Sequence, residues 1–333
     1  MECGMCVRTK TMRLKEDSKD SLYTRLENKF LEAKQNANLV FDQTCCSAID
    51  DVTTGMELWL SYAPSFLKKP ERGDTPKNED PLGKYEPELL VSNSIDTAGH
   101  LRLVLNKFAI VPNHSLLVTN EFEDQQSHLT REELLTCYEF LRGLEKTNRR
   151  KRIVIYNCGP QSGSSQRHKH LQLLEIPEGF TPFQYKLCQQ EIGNNDPYRG
   201  VRSDTHLPFA HFVIPLDTNL NLDPHTETVG DAASAVMDKL WKQYSTLLER
   251  TLKFFGTGSD EIYSYNFIMT TEWLCMIPRR NMMASSLKIG FNSIGYVGMV
   301  LCKDQDHFTQ LRANPELVVK LLTECGFPLK AGK

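Results

Sequence analysis

Residues 157–172 read NCGPQSGSSQRHKHLQ: the end of an apolar run, a loop of Gly and Ser, then two histidines and a glutamine at alternate positions. Side chains on a strand alternate faces. A strand over 168–176 therefore turns His168, His170 and Gln172 to one side, and Lys169, Leu171 and Leu173 to the other. The small residues before it let backbone N–H groups approach an anion closely and form a nest. An imidazole beside such a nest can attack phosphorus once its second nitrogen is fixed by a hydrogen bond. Neighbouring amides can stabilise the charge that develops. Alternating histidines also occur in metal sites and as ordinary paired polar residues of sheets, and spacing alone leaves the three readings open.

Outward from this segment, 153–157 reads as a strand, and Thr130-Arg131-Glu132-Glu133 as a capping box opening a helix that runs to Lys146. Residues 101–111 and 114–119 read as neighbouring strands joined at Pro112-Asn113, and 56–63 as another strand. Leu22, Leu26, Phe30 and Ala33 fall at helical spacing within 21–35. The stretch 68–87, rich in Pro, Gly and charge, reads as an irregular loop long enough to be functional. Downstream the pattern predicts a strand at 206–216, a long helix over 228–255, a strand-rich block over 262–277 and 287–301, and a helix over 315–325 stopped by Gly326. Strands in runs, with helices between the runs, predict an α+β fold with a mainly antiparallel sheet flanked by helices. Residues 1–20 read as a flexible tail, 21–200 as an N-terminal catalytic part, and 201–330 as a C-terminal part packed with it as one catalytic unit.

The chain has 333 residues, with 39 Lys+Arg against 42 Asp+Glu. That balance argues against a general nucleic-acid surface, so any polyanion must meet locally concentrated positive charge. No window approaches the roughly 18 apolar residues that span a bilayer, and residues 1–20 lack the apolar core of a secretory signal. The 10 cysteines are scattered, several inside apolar runs, which suits free thiols in a reducing compartment better than a disulfide framework. The expected location is the cytoplasm, with the nucleus as a second compartment. Cys3 and Cys6 lie in the tail with no partner pair at zinc-site spacing. The basic run 148–152 reads as a solvated helix end that complements the helix dipole.

The string GPQSGSSQRHKHLQ at 159–172 resembles the active-site signature of diadenosine tetraphosphate phosphorylases (ATP adenylyltransferases). These belong to the galactose-1-phosphate uridylyltransferase branch of the histidine-triad superfamily, which carries His-x-His-x-Gln where hydrolase branches carry a third His. Further matches lie at Lys69-Pro70-Glu71-Arg72-Gly73, Asp80-Pro81-Leu82-Gly83, Leu105-Asn106-Lys107-Phe108 and Val111-Pro112-Asn113-His114. Others are Phe291-Asn292-Ser293, Gly295-Tyr296 and Cys325-Gly326-Phe327-Pro328. The resemblance thus covers roughly residues 21–330.

It implies a histidine-triad/uridylyltransferase-like fold and a nucleotidyltransferase. His170 would attack the α-phosphorus of a dinucleoside tetraphosphate, expel a nucleoside triphosphate and form a nucleotidyl-histidine, from which inorganic phosphate releases a nucleoside diphosphate. For the diadenosine compound the products are ADP and ATP. His168 would orient His170, by its ring or its backbone carbonyl, and Gln172, which has no titratable proton, would donate its amide N–H to phosphoryl oxygens. Implied substrate contacts are Lys69, Asn106, Lys107, Asn157, Gly163, Ser164, Ser165, Gln166, Gln172, Asn292, Ser293, Ile294, Met299 and Lys303. Lys107 also stands out from the residues alone, because it interrupts an apolar run. The same resemblance implies exchange of phosphate or sulfate on adenine nucleotides, and partners limited to small molecules: the dinucleotide, phosphate, ATP and ADP. It implies a monomer without nucleic-acid or membrane partners. No protein metal site and no organic cofactor are expected, with a divalent cation (Mg or Mn) only as a substrate counter-ion. Two alternatives are a hexose-1-phosphate uridylyltransferase, against which the lack of a well-placed Cys pair counts, and a catalytically idle dinucleotide sensor. His114, His206 and His211 take no role beyond packing or phosphate contacts.

Overall fold

In a computed structural model, which describes residues 21–41, 45–68, 80–96, 98–189, 200–216, 229–256 and 263–329, the His-x-His-x-Gln segment lies in the middle of an eight-stranded sheet. In chain order the strands are β1 (Val40–Phe41), β2 (Cys45–Asp50), β3 (Glu57–Tyr62), β4 (Leu90–Ser92), β5 (Leu101–Leu105), β6 (Phe108–Ala109) and β7 (Ser115–Thr119). They continue with β8 (Arg152–Cys158), β9 (His170–Glu175), β10 (Phe212–Pro215), β11 (Tyr265–Met269), β12 (Trp273–Pro278) and β13 (Met299–Cys302). The helices are α1 (Leu22–Gln35), α2 (Arg131–Asn148), α3 (Phe183–Cys188), α4 (Val229–Leu252), α5 (Ser293–Val297), α6 (Gln305–Ala313) and α7 (Pro315–Cys325).

The large sheet runs β10-β12-β11-β8-β9-β7-β5-β4, and every neighbouring pair is antiparallel. The α+β class with a mainly antiparallel sheet is therefore the observed one. The β8–β11 pair, Asn157 opposite Asn266, joins strands from before and after residue 200 into one sheet. Strand β8 is buried along its whole length because both of its faces are covered. Val154, Tyr156 and Cys158 enter a core shared with α1, α2 and α4. Ile153 and Ile155 enter a second core with α3, α5, α6 and α7. A period of two thus sends one strand's side chains to opposite cores. A smaller sheet, β13-β3-β2, packs into the second core, with β13 parallel to β3.

Several expectations need correction. The strand carrying the histidines begins at His170, because His168 and Lys169 pair with residues 119–124 instead: Lys169 N–H donates to Glu123 O and His168 bridges Asp124. The run 101–111 breaks at Asn106-Lys107, where Asn106 Oδ1 accepts the Phe108 N–H and β6 leaves to pair with β1. Only Phe212–Pro215 of 206–216 is strand. Within 287–301 a short helix, α5, precedes β13, since Asn292 caps it by accepting the Ile294 N–H. The basic run is not simply solvated. Arg150 and Arg152 both pair with Glu175, at 2.9 and 2.7 Å, Arg152 is buried, and Lys151 pairs with Glu272. The tail, 1–20, lies outside the described residues. Among the described residues no helix is long and apolar enough to cross a membrane.

Candidate active site

His170 opens β9 and is 4% exposed. Its Nδ1–H donates to the His168 carbonyl at 2.8 Å, which leaves the lone pair on Nε2, the nitrogen a nucleophile uses. Its backbone is clamped by Gln125, whose Oε1 accepts the His170 N–H at 2.8 Å and whose Nε2 donates to the carbonyls of His170 and Asn157. One buried amide thus fixes β8 and β9 at the same level. His168 orients His170 through its carbonyl. The His168 ring is turned to Asp80 Oδ2 and Thr119 O, each at 2.8 Å. Both ring nitrogens therefore face acceptors, which fixes the ring plane. On the opposite face, Lys169 is buried against Glu123 and Glu133, as alternation requires.

The loop from β8 to β9 is gripped by the C-terminal half. Gly159 and Gly163 have φ of +84° and +83°, and a Cβ would lie 2.2 Å from Tyr263 O and 2.4 Å from Phe291 O respectively. Only glycine permits both the conformation and the approach. Buried Arg279 donates to Ser162 O at 3.1 Å and to Asn266 Oδ1, while Asn266 Nδ2 reaches Ser162 O at 2.8 Å. Asn157 Oδ1 accepts from Asn266 Nδ2, Ser293 N and Ser293 Oγ at 2.8, 3.0 and 2.6 Å.

A cavity of about 540 Å³ opens beside this loop. Of the expected contacts, Asn106, Gly163, Ser164, Ser165, Gln172, Asn292, Ile294, Met299 and Lys303 line it. Gln172 shares its face of β9 with His170. Among the described residues the remaining ones do not line it. Asn157 and Ser293 are buried in the network that ties β8 to α5, so they hold the site together rather than line it. Lys107 is exposed and pairs with Glu86 at 2.6 Å. Gln166 is not among the lining residues, and its carbonyl accepts the Ser164 hydroxyl at 2.9 Å. Lys69 lies outside the described residues. His114 lines the cavity, as do Phe66, Met282, Lys288 and His307, none of which carried a signal of its own. Asp80 stood inside a family-like string without a role, and His114 inside another with packing or phosphate contacts as its expected role. Gln125, Asn266 and Arg279 became visible only once distant strands were paired.

Burial pushes the Cys158 thiol, next to the loop, up to about 12, and also raises Cys137, Cys275 and Cys325, so these thiols are not nucleophiles at neutral pH. His211 is pushed down to about 4 by burial, against the Phe209 carbonyl and Asp204, and is a neutral structural residue. Among the described residues one group, His100, Glu123 and Glu133, brings metal-ligand atoms within 4.8 Å of one another, but the Lys169 ammonium already bridges both carboxylates.

The chain matches two family models: the Ap4A phosphorylase N-terminal domain over residues 13–187 and the ATP adenylyltransferase C-terminal domain over residues 205–328. It is 41% identical over 320 residues to Protein APA1 of Saccharomyces cerevisiae, covering 92% of this chain and 95% of the relative. It is 37% identical over 331 residues to diadenosine 5',5'''-P1,P4-tetraphosphate phosphorylase 2 of the same yeast, covering 94% and 97%. The crystal structure of yeast Ap4A phosphorylase Apa2 in complex with Ap4A superimposes with a TM-score of 0.80 at 36% identity, covering 94% of this chain and 99% of that one.

Proposed function

The chain belongs to the Ap4A phosphorylase family, and from that premise we propose that it cleaves diadenosine tetraphosphate (Ap4A) with inorganic phosphate to ADP and ATP, with His170 as the nucleophile. One observation supports the mechanism above the rest. His170 Nδ1–H is tied to the His168 carbonyl, on a strand whose next residue on that face lines the cavity beside the Gly163–Ser165 loop. Nε2 attacks the α-phosphorus; a P–N bond forms, the P–O bond to ATP breaks, and the adenylyl group stays on the ring. The Nδ1–H···O=C bond strengthens as the ring becomes cationic, a transition-state interaction of the kind that raises kcat. Phosphate then attacks the same phosphorus, ADP leaves, and the Nε2 lone pair is restored. Two displacements at one centre give double-displacement kinetics.

Backbone donors of Gly163–Ser165 and the Gln172 amide hold the phosphoryl oxygens, while Asn106, Asn292, Ile294, Met299 and Lys303 contact the rest of the dinucleotide. Lys69 stays in the proposal on the sequence resemblance alone. Asn157, Ser293 and Gln166 support the loop rather than touch substrate. A divalent cation, Mg or Mn, would ride on the tetraphosphate as its counter-ion, and no organic cofactor is invoked. The proposal extends to phosphate or sulfate exchange on adenine nucleotides and to a monomer. It also extends to residence in the cytoplasm, with the nucleus as a second location; the free cysteines suit such a reducing compartment. The sugar-transferring and idle-sensor alternatives are not favoured by phosphorylase relatives matched over most of the chain.

Chromatography of products from Ap4A with and without phosphate tests the reading. ADP, and ATP beyond one equivalent per enzyme, should appear only with phosphate, and His170→Ala should abolish both turnover and an acid-labile adenylylated protein. Multiple turnovers without phosphate, or near-normal turnover by the variant, would sink it.

A further inference from the structure

His114 stands immediately before β7, 2% exposed, and its ring is held from both sides. The Ile110 N–H donates to Nδ1 at 3.3 Å, so Nδ1 carries the lone pair and the proton of the neutral ring sits on Nε2. Nε2 lies 3.1 Å from Gln172 Oε1 and 3.1 Å from Asn106 Nδ2. Asn106 offers no acceptor there, because its Oδ1 takes the Phe108 N–H at 3.0 Å. The acceptor for Nε2–H is therefore Gln172 Oε1. Turned over, the Gln172 amide would set its N–H group against Nε2–H, donor against donor.

We infer that His114 is a positioning residue that locks the Gln172 amide with its oxygen toward the ring and its N–H donors toward the cavity. The two ends of a glutamine amide are alike in shape and opposite in polarity. With N–H groups outward, Gln172 stabilises the charge that builds on the transferring phosphoryl group. With its oxygen outward it would repel that charge. The tautomer of one histidine thus decides the sign of a contact made by another residue. The activity arm of this inference rests on the phosphorolysis reading; the tautomer does not.

Long-range ¹H–¹⁵N correlation spectra of the uniformly labelled full chain, with His114 assigned by comparison with His114→Gln, should report Nε2–H at neutral pH. An Nδ1–H tautomer overturns the inference whatever the activity. In Ap4A phosphorolysis, His114→Leu should lower kcat by about tenfold to a hundredfold with KM within about twofold, as expected when one oriented donor is lost. His114→Gln, whose amide N–H reaches the place of Nε2–H, should recover most of that loss. Adding His114→Leu to Gln172→Ala should slow Gln172→Ala no further, since the two act as one unit. Losses that multiply, or a His114→Gln as slow as His114→Leu, overturn the role. Melting temperatures separate misfolding from mispositioning, and if His114→Leu does not fold, the tautomer and the His114→Gln rate decide. A wild-type chain that fails to phosphorolyse Ap4A refutes the functional reading and leaves the tautomer test intact.

Discussion

Replacing Gly163 by alanine tests whether the loop between β8 and β9 is held rigidly by the C-terminal half. The residue lies at φ +83°, and its new Cβ would stand 2.4 Å from Phe291 O, where ordinary contact begins at 3.4 Å. Left-handed backbone costs a residue with a Cβ about 1–2 kcal/mol. Overpacking against an unyielding neighbour adds about 1–3 kcal/mol. The neighbour here is backbone just before the Asn292 cap of α5, so it cannot swing aside as a flexible side chain would. If the loop holds its place, stability falls by about 2–5 kcal/mol. If it yields by about 1 Å, the phosphate donors are misplaced and kcat falls about a hundredfold. Gly179→Ala is the control: φ is +79° but nothing lies within 4 Å of the added Cβ, so only the conformational cost applies, with kcat unchanged. ATP formation from Ap4A and phosphate, followed by luciferase, gives the rate, and thermal unfolding gives the stability. A Gly163→Ala enzyme with wild-type kcat, melting no lower than Gly179→Ala, refutes the clamped-loop account.

Asn157→Ala should destabilise by about 2–4 kcal/mol in urea unfolding, because it strips the acceptor from the buried Ser293 N–H and weakens two further donors. Ser293→Ala, which removes one donor, should cost about 1 kcal/mol; equal losses would argue against the network. Lys107→Ala should leave KM within about twofold, since an exposed pair with Glu86 contributes little, whereas Lys303→Ala should raise KM at least about tenfold. Steady-state kinetics that reverse this order would restore Lys107 to the site. His211 binds its proton less readily folded, at about 4, than unfolded, at about 6.5. Its contribution is complete above the unfolded value and is lost as pH falls toward the folded one. Wild-type stability should drop by about 3 kcal/mol more than that of His211→Gln between pH 7 and pH 4. Parallel curves for the two proteins would contradict that assignment.

Elements whose signals are local were legible before folding. The Thr130 capping box and the spacing of Leu26, Phe30 and Ala33 are contained within a few turns of chain, and α1 and α2 formed where expected. The helix α5 was not legible: five residues give no period, and its cap is an Asn292 that reads equally well as a ligand. The start of β9 was misplaced because the partner of His168 is chosen by residues 119–124, not by its own neighbours. In the site, Lys107 looked like a phosphate ligand because it breaks an apolar run. In the fold that break is where Asn106 turns the chain out of the sheet, and the lysine points to Glu86.

The near-neutral charge balance had required positive groups gathered from distant parts of the chain, and Lys303 does line the cavity beside the Gly/Ser loop. The sequence by itself determined the chemical repertoire: a histidine nucleophile, an amide in place of a third histidine, and a loop of residues small enough to admit an anion. Those properties belong to side chains and to local backbone freedom, which travel with the residues. The tertiary structure alone decided which polar groups are spectators, supports or contacts. Asn157, Ser293, Gln125 and Arg279 acquire their roles chiefly from partners distant in the chain, up to 137 residues away for Ser293, and the tautomer of His114 from groups brought against it by a turn and a sheet. Hydrogen bonds of that kind depend on distance and direction in space, which a linear order of residues does not contain.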